Sequence, residues 1–256
     1  MIDRRKSDFR DYNWKFMTID EKHNGYQYVD GLNIADTTGV GDNMIFAGGN
    51  FIFNNFNETH VFIRNIEIPV GAQISQSTKY DHAYESDKLI LDKRLDLRNS
   101  DTWEILWDNF VDIMSFKEKI LYVISKNGWI SPLIWLINKI RTVHSEDPHM
   151  IVETVLRGAI SSNNVDIIEY IVKEYPEIPK TMGSNSLIMG AIAELAIAPD
   201  KQSDYCYPSM KSIIDSGLFS EVDPSIILSP YIVMFQTMNH DGTCRLIQSY
   251  INKKVR

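Results

Sequence analysis

Asn163-Asn164-Val165-Asp166-Ile167-Ile168-Glu169-Tyr170-Ile171-Val172 is an Asn-Asn joint that opens into a short helix whose apolar side chains recur at helical spacing. Three further segments repeat its pattern: Ile130-Ser131-Pro132-Leu133-Ile134-Trp135-Leu136-Ile137, Tyr207-Pro208-Ser209-Met210-Lys211-Ser212-Ile213-Ile214 and Cys244-Arg245-Leu246-Ile247-Gln248-Ser249-Tyr250-Ile251. Aligned on Leu133, Ile168, Met210 and Ile247, they are spaced by 35, 42 and 37 residues. Self-similarity at such a period is the mark of a repeat architecture.

Each segment follows a helix-like stretch, at 116–125, 150–161, 186–198 and 226–238. The joints between the two helices are Lys126-Asn127-Gly128, Ser162-Asn163-Asn164, the longer 199–206 and Asn239-His240-Asp241-Gly242, residues that suit a helix that must stop and reverse. A two-helix hairpin cannot bury its apolar face alone, so neighbouring hairpins are expected to stack into a solenoid. Upstream, Asn99-Ser100-Asp101 offers an N-cap, and Trp103, Leu106, Trp107, Phe110, Val111 and Met114 line one face of a helix that bridges the two halves.

Before that helix the period changes. Residues 11–97 read as short strands, with aromatic and β-branched runs broken by Gly, Asn and Asp. Along His60-Val61-Phe62-Ile63-Arg64-Asn65-Ile66-Glu67-Ile68-Pro69 both faces are largely apolar, as in a strand covered on both sides. Lys88-Leu89-Ile90-Leu91-Asp92 is a second strand candidate, and Gly39-Val40-Gly41-Asp42 and Ala47-Gly48-Gly49-Asn50 mark tight turns.

Bulk properties limit what such a chain can do. Its 256 residues favour two domains, and 44% apolar with 23% charged residues is globular usage that excludes disorder. The formal charge is −8, with 12 basic against 18 acidic residues in 1–110 and 14 against 16 in 111–256. Neither half carries the basic stripe that neutralising phosphates requires, so no nucleic-acid partner is expected. Arg4, Arg5, Lys6 and Arg10 alternate with Asp3, Asp8 and Asp11 and read as a solvated leader. The two cysteines, Cys206 and Cys244, are too few to staple a secreted protein of this size and point to reduced thiols in an intracellular chain. No signal peptide is expected in the first 20 residues, and the most hydrophobic stretch, 129–140, is shorter than the ~20 residues of a membrane span.

The segment Asn163 to Val172 resembles the second helix of an ankyrin repeat, although the Thr-Pro-Leu-His opening of that family is absent and the spacing departs from its ~33 residues. His23-Asn24-Gly25-Tyr26-Gln27-Tyr28-Val29-Asp30-Gly31-Leu32-Asn33, Gly48-Gly49-Asn50-Phe51-Ile52-Phe53, Val61-Phe62-Ile63-Arg64-Asn65-Ile66-Glu67-Ile68-Pro69 and Ser86-Asp87-Lys88-Leu89-Ile90-Leu91 resemble, in order, the N-terminal domain of mimivirus-type ankyrin-repeat proteins of giant viruses. That likeness spans roughly 12–107, and Ala47-Gly48-Gly49-Asn50-Phe51 stands where the family usually has a Pro-Gly-Gly-Leu-Tyr-like segment. The fold implied is an α+β N-terminal domain followed by an all-α ankyrin-like helical-hairpin solenoid. Its parts are a leader at 1–11, a β-rich domain at 12–99, a bridging helix at 100–114 and four degenerate hairpins at 115–256.

The function implied is non-enzymatic protein–protein interaction, with host or viral proteins as partners, in the host cytoplasm or with the virion. No cofactor, metal or membrane is expected. Solenoids present first helices and joints to their partners, which selects Trp129, Asn164 and Tyr205, each near a joint, as candidate contact residues. Two other readings compete. His23-Asn24-Gly25 with the later Gly48-Gly49-Asn50-Phe51 resembles ADP-ribosyltransferase folds, where a strand-borne His and a Gly-aromatic strand frame nicotinamide; Glu58, Glu67 or Glu85 would supply the acid. A ubiquitin-ligase adaptor is the other, by analogy with viral ankyrin proteins, although residues 241–256 show no F-box-like tail.

Further motifs read as structure. Gly39-Val40-Gly41-Asp42 lacks the Lys-Ser/Thr of a phosphate-binding loop and is a turn. His144-Ser145-Glu146-Asp147-Pro148-His149 has no i, i+4 His pair, and Asp147 with Pro148 suits a helix start better than a metal site. Cys206 and Cys244 lack Cys-x-x-Cys spacing and read as packing thiols.

Overall fold

The computed structural model describes residues 13–23, 26–35, 43–49, 51–109, 113–143, 147–198 and 204–254. The expected leader at 1–11, the turn at 39–42, the segment 110–112 of the expected bridging helix and His144 to Glu146 lie outside the described residues. The chain divides into two compact units, residues 1–120 and 121–256. An antiparallel sheet region followed by helices makes the chain α+β.

In the first unit the strands are β1 (Asn13–Met17), β2 (Lys22–His23), β3 (Tyr26–Gln27), β4 (Gly31–Ile34), β5 (Met44–Gly48), β6 (Phe62–Glu67), β7 (Ile74–Gln76), β8 (Ala83–Ser86) and β9 (Lys88–Asp96). Among the described residues they form a seven-stranded sheet in the order β4-β9-β6-β1-β5-β8-β7, with β2 and β3 as a separate pair. All neighbours run antiparallel. The two central strands are covered on both faces: every residue of β1 is buried, and in β6 so are the consecutive Phe62, Ile63 and Arg64. That is the two-sided burial expected for this stretch.

Strand β9 runs four residues beyond the expected Lys88–Asp92, through Lys93-Arg94-Leu95-Asp96. The charges are tolerated because the extension pairs with β6, Arg94 opposite Arg64, and the Arg94 guanidinium stacks 4.4 Å over the Phe62 ring. One core cluster joins Met17, Tyr28, Met44, Phe46, Phe62, Ile66, Leu89 and Leu91. A second aromatic group packs Phe53 and Phe56 against Trp103 of α1 (Ser100–Asn109), whose Nε1–H donates to Leu97 O at 2.7 Å. Asn99 Oδ1 caps this helix by accepting from Asp101 N–H.

The remaining helices are α2 (Lys117–Lys126), α3 (Ile130–Val143), α4 (Pro148–Ser161), α5 (Val165–Glu174), α6 (Ser186–Ala196), α7 (Tyr207–Asp215), α8 (Pro224–Thr237) and α9 (Asp241–Lys254). Within the second unit, α4 contacts α6 and α6 contacts α8, while α5 contacts α7 and α7 contacts α9. Leu133, Ile168, Met210 and Ile247 are all 0% exposed, so the aligned apolar positions are core positions. Asp147 caps α4 through His149 N–H with Pro148 at its first turn, and Asn185 and Asp223 cap α6 and α8.

Three joints share one terminator. Gly128, Asn163 and Asn239 adopt φ of 73°, 59° and 60°, the left-handed conformation that closes a helix. The next residue's N–H in each case donates five residues back: Trp129 to Ile124 O, Asn164 to Ala159 O and His240 to Phe235 O, at 3.1, 2.8 and 2.8 Å. Trp129, Asn164 and His240 then accept at their carbonyls from the N–H four residues on, as does Cys206. By this joint geometry the second helices start at intervals of 35, 42 and 34 residues. The fourth thus lies three residues, nearly a helical turn, earlier than the apolar alignment on Ile247 placed it.

Gly158 of α4 fixes how closely two helices approach, because a Cβ there would lie 2.6 Å from Tyr122 O and 3.0 Å from Ser125 Cβ of α2. Gly158→Val is expected to destabilise the protein by about 2–3 kcal/mol in a denaturant titration. Gly190→Ala, on α6 with nothing within 4 Å of its Cβ, is expected to stabilise by about 0.5–1 kcal/mol. Equal effects at the two glycines would contradict this packing.

Candidate functional site

Successive joints in the second unit are tied by their own polar groups. Helix-end carbonyls lack intrahelical donors. Asn164 Nδ2 donates to two of them at the end of α2, Ser125 O at 2.9 Å and Lys126 O at 2.8 Å. Asn163 Nδ2 donates to Tyr205 O, and the Tyr205 hydroxyl donates back to Ser162 O at 3.1 Å. Asp204 N–H then donates to His240 Nδ1, Asp204 Oδ1 accepts from Thr243 N–H, and Cys206 Sγ lies 3.4 Å from Thr243 Oγ1.

All three candidate contact residues therefore stand on this line of joints and are partly exposed. Asn164 and Tyr205 use polar groups to hold neighbouring joints, and the Asn164 amide lies over Gly128, whose Cβ would meet Asn164 Oδ1 at 2.9 Å. Cys206 and Cys244 are buried thiols whose pKa values burial pushes up, so they are poorly disposed to act as thiolates.

Sequence reasoning expected a helix at 226–238, where α8 lies, but did not select its surface for contact. Its run Pro-Ser-Ile-Ile-Leu-Ser-Pro-Tyr-Ile-Val-Met-Phe-Gln-Thr is apolar around most of its circumference, yet only Pro224, Leu228 and Phe235 are buried. Ile226 and Val233, seven residues apart and so on one helical face, are 71% and 64% exposed. The missing amphipathic contrast was the signal available in the sequence.

The first unit contains a cavity of about 240 Å³ between strands that part. The register of β1 with β5 covers Asn13↔Gly48 and Trp14↔Ala47. Beyond it, Lys15, Phe16 and Met17 of β1 and Ile45 and Phe46 of β5 line the opening. Lys15, 3% exposed, donates from Nζ to Ile45 O at 2.7 Å, lies 3.3 Å from His23 Nδ1 and stands 4.6 Å over the Tyr28 ring. Its cross-strand neighbour Arg64 takes the nearby carboxylates: both Glu21 oxygens at 3.0 and 2.9 Å and Asp30 at 2.6 Å. Among the described residues no Asp or Glu lines the cavity.

Burial without a carboxylate lowers the Lys15 pKa to about 7 from its ordinary 10.5. His23 and His60 also line the cavity, and burial, followed by the charge of Lys15, lowers both to about 4. His60 Nδ1 accepts from Asn57 N–H at 3.2 Å, so the neutral imidazole carries its proton on Nε2. Its ring stacks on Phe16 at 5.2 Å. His23 thus meets a lysine, and none of Glu58, Glu67 and Glu85 lines the cavity. Glu67 is exposed, and Glu85 accepts from Ser77 Oγ at 2.8 Å.

No protein-family model and no solved structure matches the chain. It is similar to two Acanthamoeba polyphaga mimivirus proteins named as ankyrin repeat proteins. The first is 27% identical over 144 residues, 52% of this chain and 43% of its own length; the second is 25% identical over 171 residues, 62% of this chain and 80% of its own. The chain thus spans less than half the length of the first. Among the described residues no helix is long and apolar enough to cross a membrane.

Two pH effects follow from the cavity. Between about pH 7 and 10.5 the folded chain holds fewer protons at Lys15 than the unfolded chain, so stability rises with pH across that window. Lys15→Met is expected to flatten this rise and to stabilise the protein by about 2 kcal/mol at pH 6; an unchanged slope in urea titrations would refute a neutralised Lys15. His23 and His60 act at lower pH: both stay neutral in the fold below the unfolded value of 6.5, so stability falls as pH drops from 6.5 to about 4. Replacing both by Gln should remove most of that fall in the same titrations.

Proposed function

We propose that the chain is a non-enzymatic protein-interaction module of a giant virus, binding host or viral proteins through its helical half. In this reading residues 115–256 are four degenerate ankyrin-like hairpins stacked as a solenoid, behind a β-rich domain at 12–99 and a bridging helix at 100–114. The observation that carries it is the joint shared by Gly128, Asn163 and Asn239, with α4 contacting α6 and α6 contacting α8, while α5 contacts α7 and α7 contacts α9. A repeat stack is built in this way, each unit burying its stripe on the next. The similarity to mimivirus ankyrin repeat proteins supports the same reading and motivates an amoebal host cytoplasm as the setting.

Partner contact is assigned to the line of joints, with Trp129, Asn164 and Tyr205, and to the exposed stripe of α8. Asn164 acts there by positioning, since its amide holds the adjacent joint. Exposed apolar side chains flanked by polar ones are the surface a protein partner desolvates.

The test uses the full chain as bait in an Acanthamoeba lysate. Ile226→Asp/Val233→Asp is expected to lose the captured protein at least tenfold while keeping the wild-type unfolding curve, because both side chains are already in water. Trp129→Ala is expected to weaken capture similarly. Capture unchanged in both variants overturns the assignment of contact to the helical half.

A further inference from the structure

The cavity of the first unit is not used by an interaction surface on the helices, and its chemistry is specific. Burying a cation without a carboxylate opposes folding, and a methionine of similar length would fill the same space without that penalty. A lysine kept there at a cost in stability is a mark of a binding or reacting group. Its surroundings state what it would take. Lys15 offers N–H donors, His60 offers Nε2–H, and among the described residues the lining contributes no carboxylate. An anion entering would therefore meet donors, and among the described residues no carboxylate of the lining itself. Lys22 and the polar Thr18, Asn55, Asn57 and Thr59 also line the cavity, while Phe16, Met17, Ile45, Phe46 and Ile52 form an apolar part of its wall that favours a ligand with an apolar body over a fully hydrated dianion such as inorganic phosphate. At about 240 Å³ the space holds about eight water-sized groups, below the range of drug-sized ligands.

We propose that this cavity binds a small monocarboxylate with an apolar body, the carboxylate pairing with Lys15 and the body packing between Phe16 and Ile52. Pairing supplies the buried ammonium with the counter-charge that Glu21 and Asp30 give to Arg64 instead. Specificity follows from the unpaired alternative. A neutral isostere of the same shape supplies no counter-charge, so beyond the apolar contacts it offers Lys15 only the weaker hydrogen bond of an uncharged acceptor. The site goes beyond the interaction reading and does not depend on it.

The experiment is an NMR titration of the full chain with benzoate, benzamide and inorganic phosphate, read on the Ile45 and Ile52 δ1-methyl signals. Benzoate is expected to shift both signals in a saturable way, and benzamide and phosphate to bind at least tenfold more weakly. Lys15→Met is expected to lose benzoate at least tenfold while its methyl spectrum stays that of a folded protein. Ile52→Trp, which adds bulk at another lining position, is expected to block benzoate whatever the state of Lys15. Benzamide or phosphate binding as tightly as benzoate, full benzoate affinity in Lys15→Met, or no shift at about 10 mM benzoate each overturns the proposal.

Discussion

A helix ends with carbonyls that no intrahelical donor reaches, and in the helical unit the neighbouring joint supplies several of the missing donors. Asn164 donates to the last carbonyls of α2, and Tyr205 to the carbonyl that follows α4. Apolar stripes alone would let helices slide along one another, since Leu, Ile and Val contacts are non-directional. A side-chain amide that must reach two particular carbonyls permits one register. The left-handed residues at Gly128, Asn163 and Asn239 are the precondition, because they turn the chain so that the next residue can both close the preceding helix and open the following one.

The sheet of the first unit meets the same demand differently. Its central strands are buried on both faces, so every polar side chain on them needs a partner from another element. Arg64 finds Glu21, held at a left-handed φ of 51°, together with Asp30, and Arg94 reaches Glu21 from β9 at 3.5 Å. Lys15 sits opposite Arg64 on the next strand and finds a carbonyl and an imidazole instead. The two cations differ in what they can become. A guanidinium stays charged and must be matched, whereas an amine can release its proton and remain buried.

Much of this order was legible in the residues. The 3.6-residue period located the helices and the joint residues located their ends, because turn chemistry and periodicity are local properties. The fourth register was displaced by three residues because positions i and i+3 share a helical face, so an apolar pattern fits Cys244 and Ile247 about equally. The left-handed Asn239 and the joint bonds from His240 N–H to Phe235 O and from Cys244 N–H to His240 O separate them. The extension of β9 through Lys93-Arg94 was hidden because the Arg94 charge is matched by Phe62 and Glu21, residues distant in sequence. The cavity was hidden for a stronger reason. Asn-Trp-Lys-Phe-Met reads as an alternating strand with an exposed lysine, and nothing local states that β5 departs from β1 after Trp14. His23 was visible as a candidate, but its partner in space is Lys15 rather than any of the acids nominated from sequence.

Two departures from local consistency remain, and they have the same physical character. Lys15 is a charge where packing favours an apolar group, and Ile226 with Val233 are apolar groups where water favours a charge. Folding compensates neither: the buried charge lowers stability relative to an apolar replacement, and the exposed side chains give the fold nothing that a charged replacement would lose. Sequences that specify a fold agree with themselves at every level except where another demand intervenes. A bound anion would satisfy the first departure, and a desolvating protein surface the second. Both sites are thus defined by what the isolated chain leaves unsatisfied, one by charge and the other by exposed hydrocarbon.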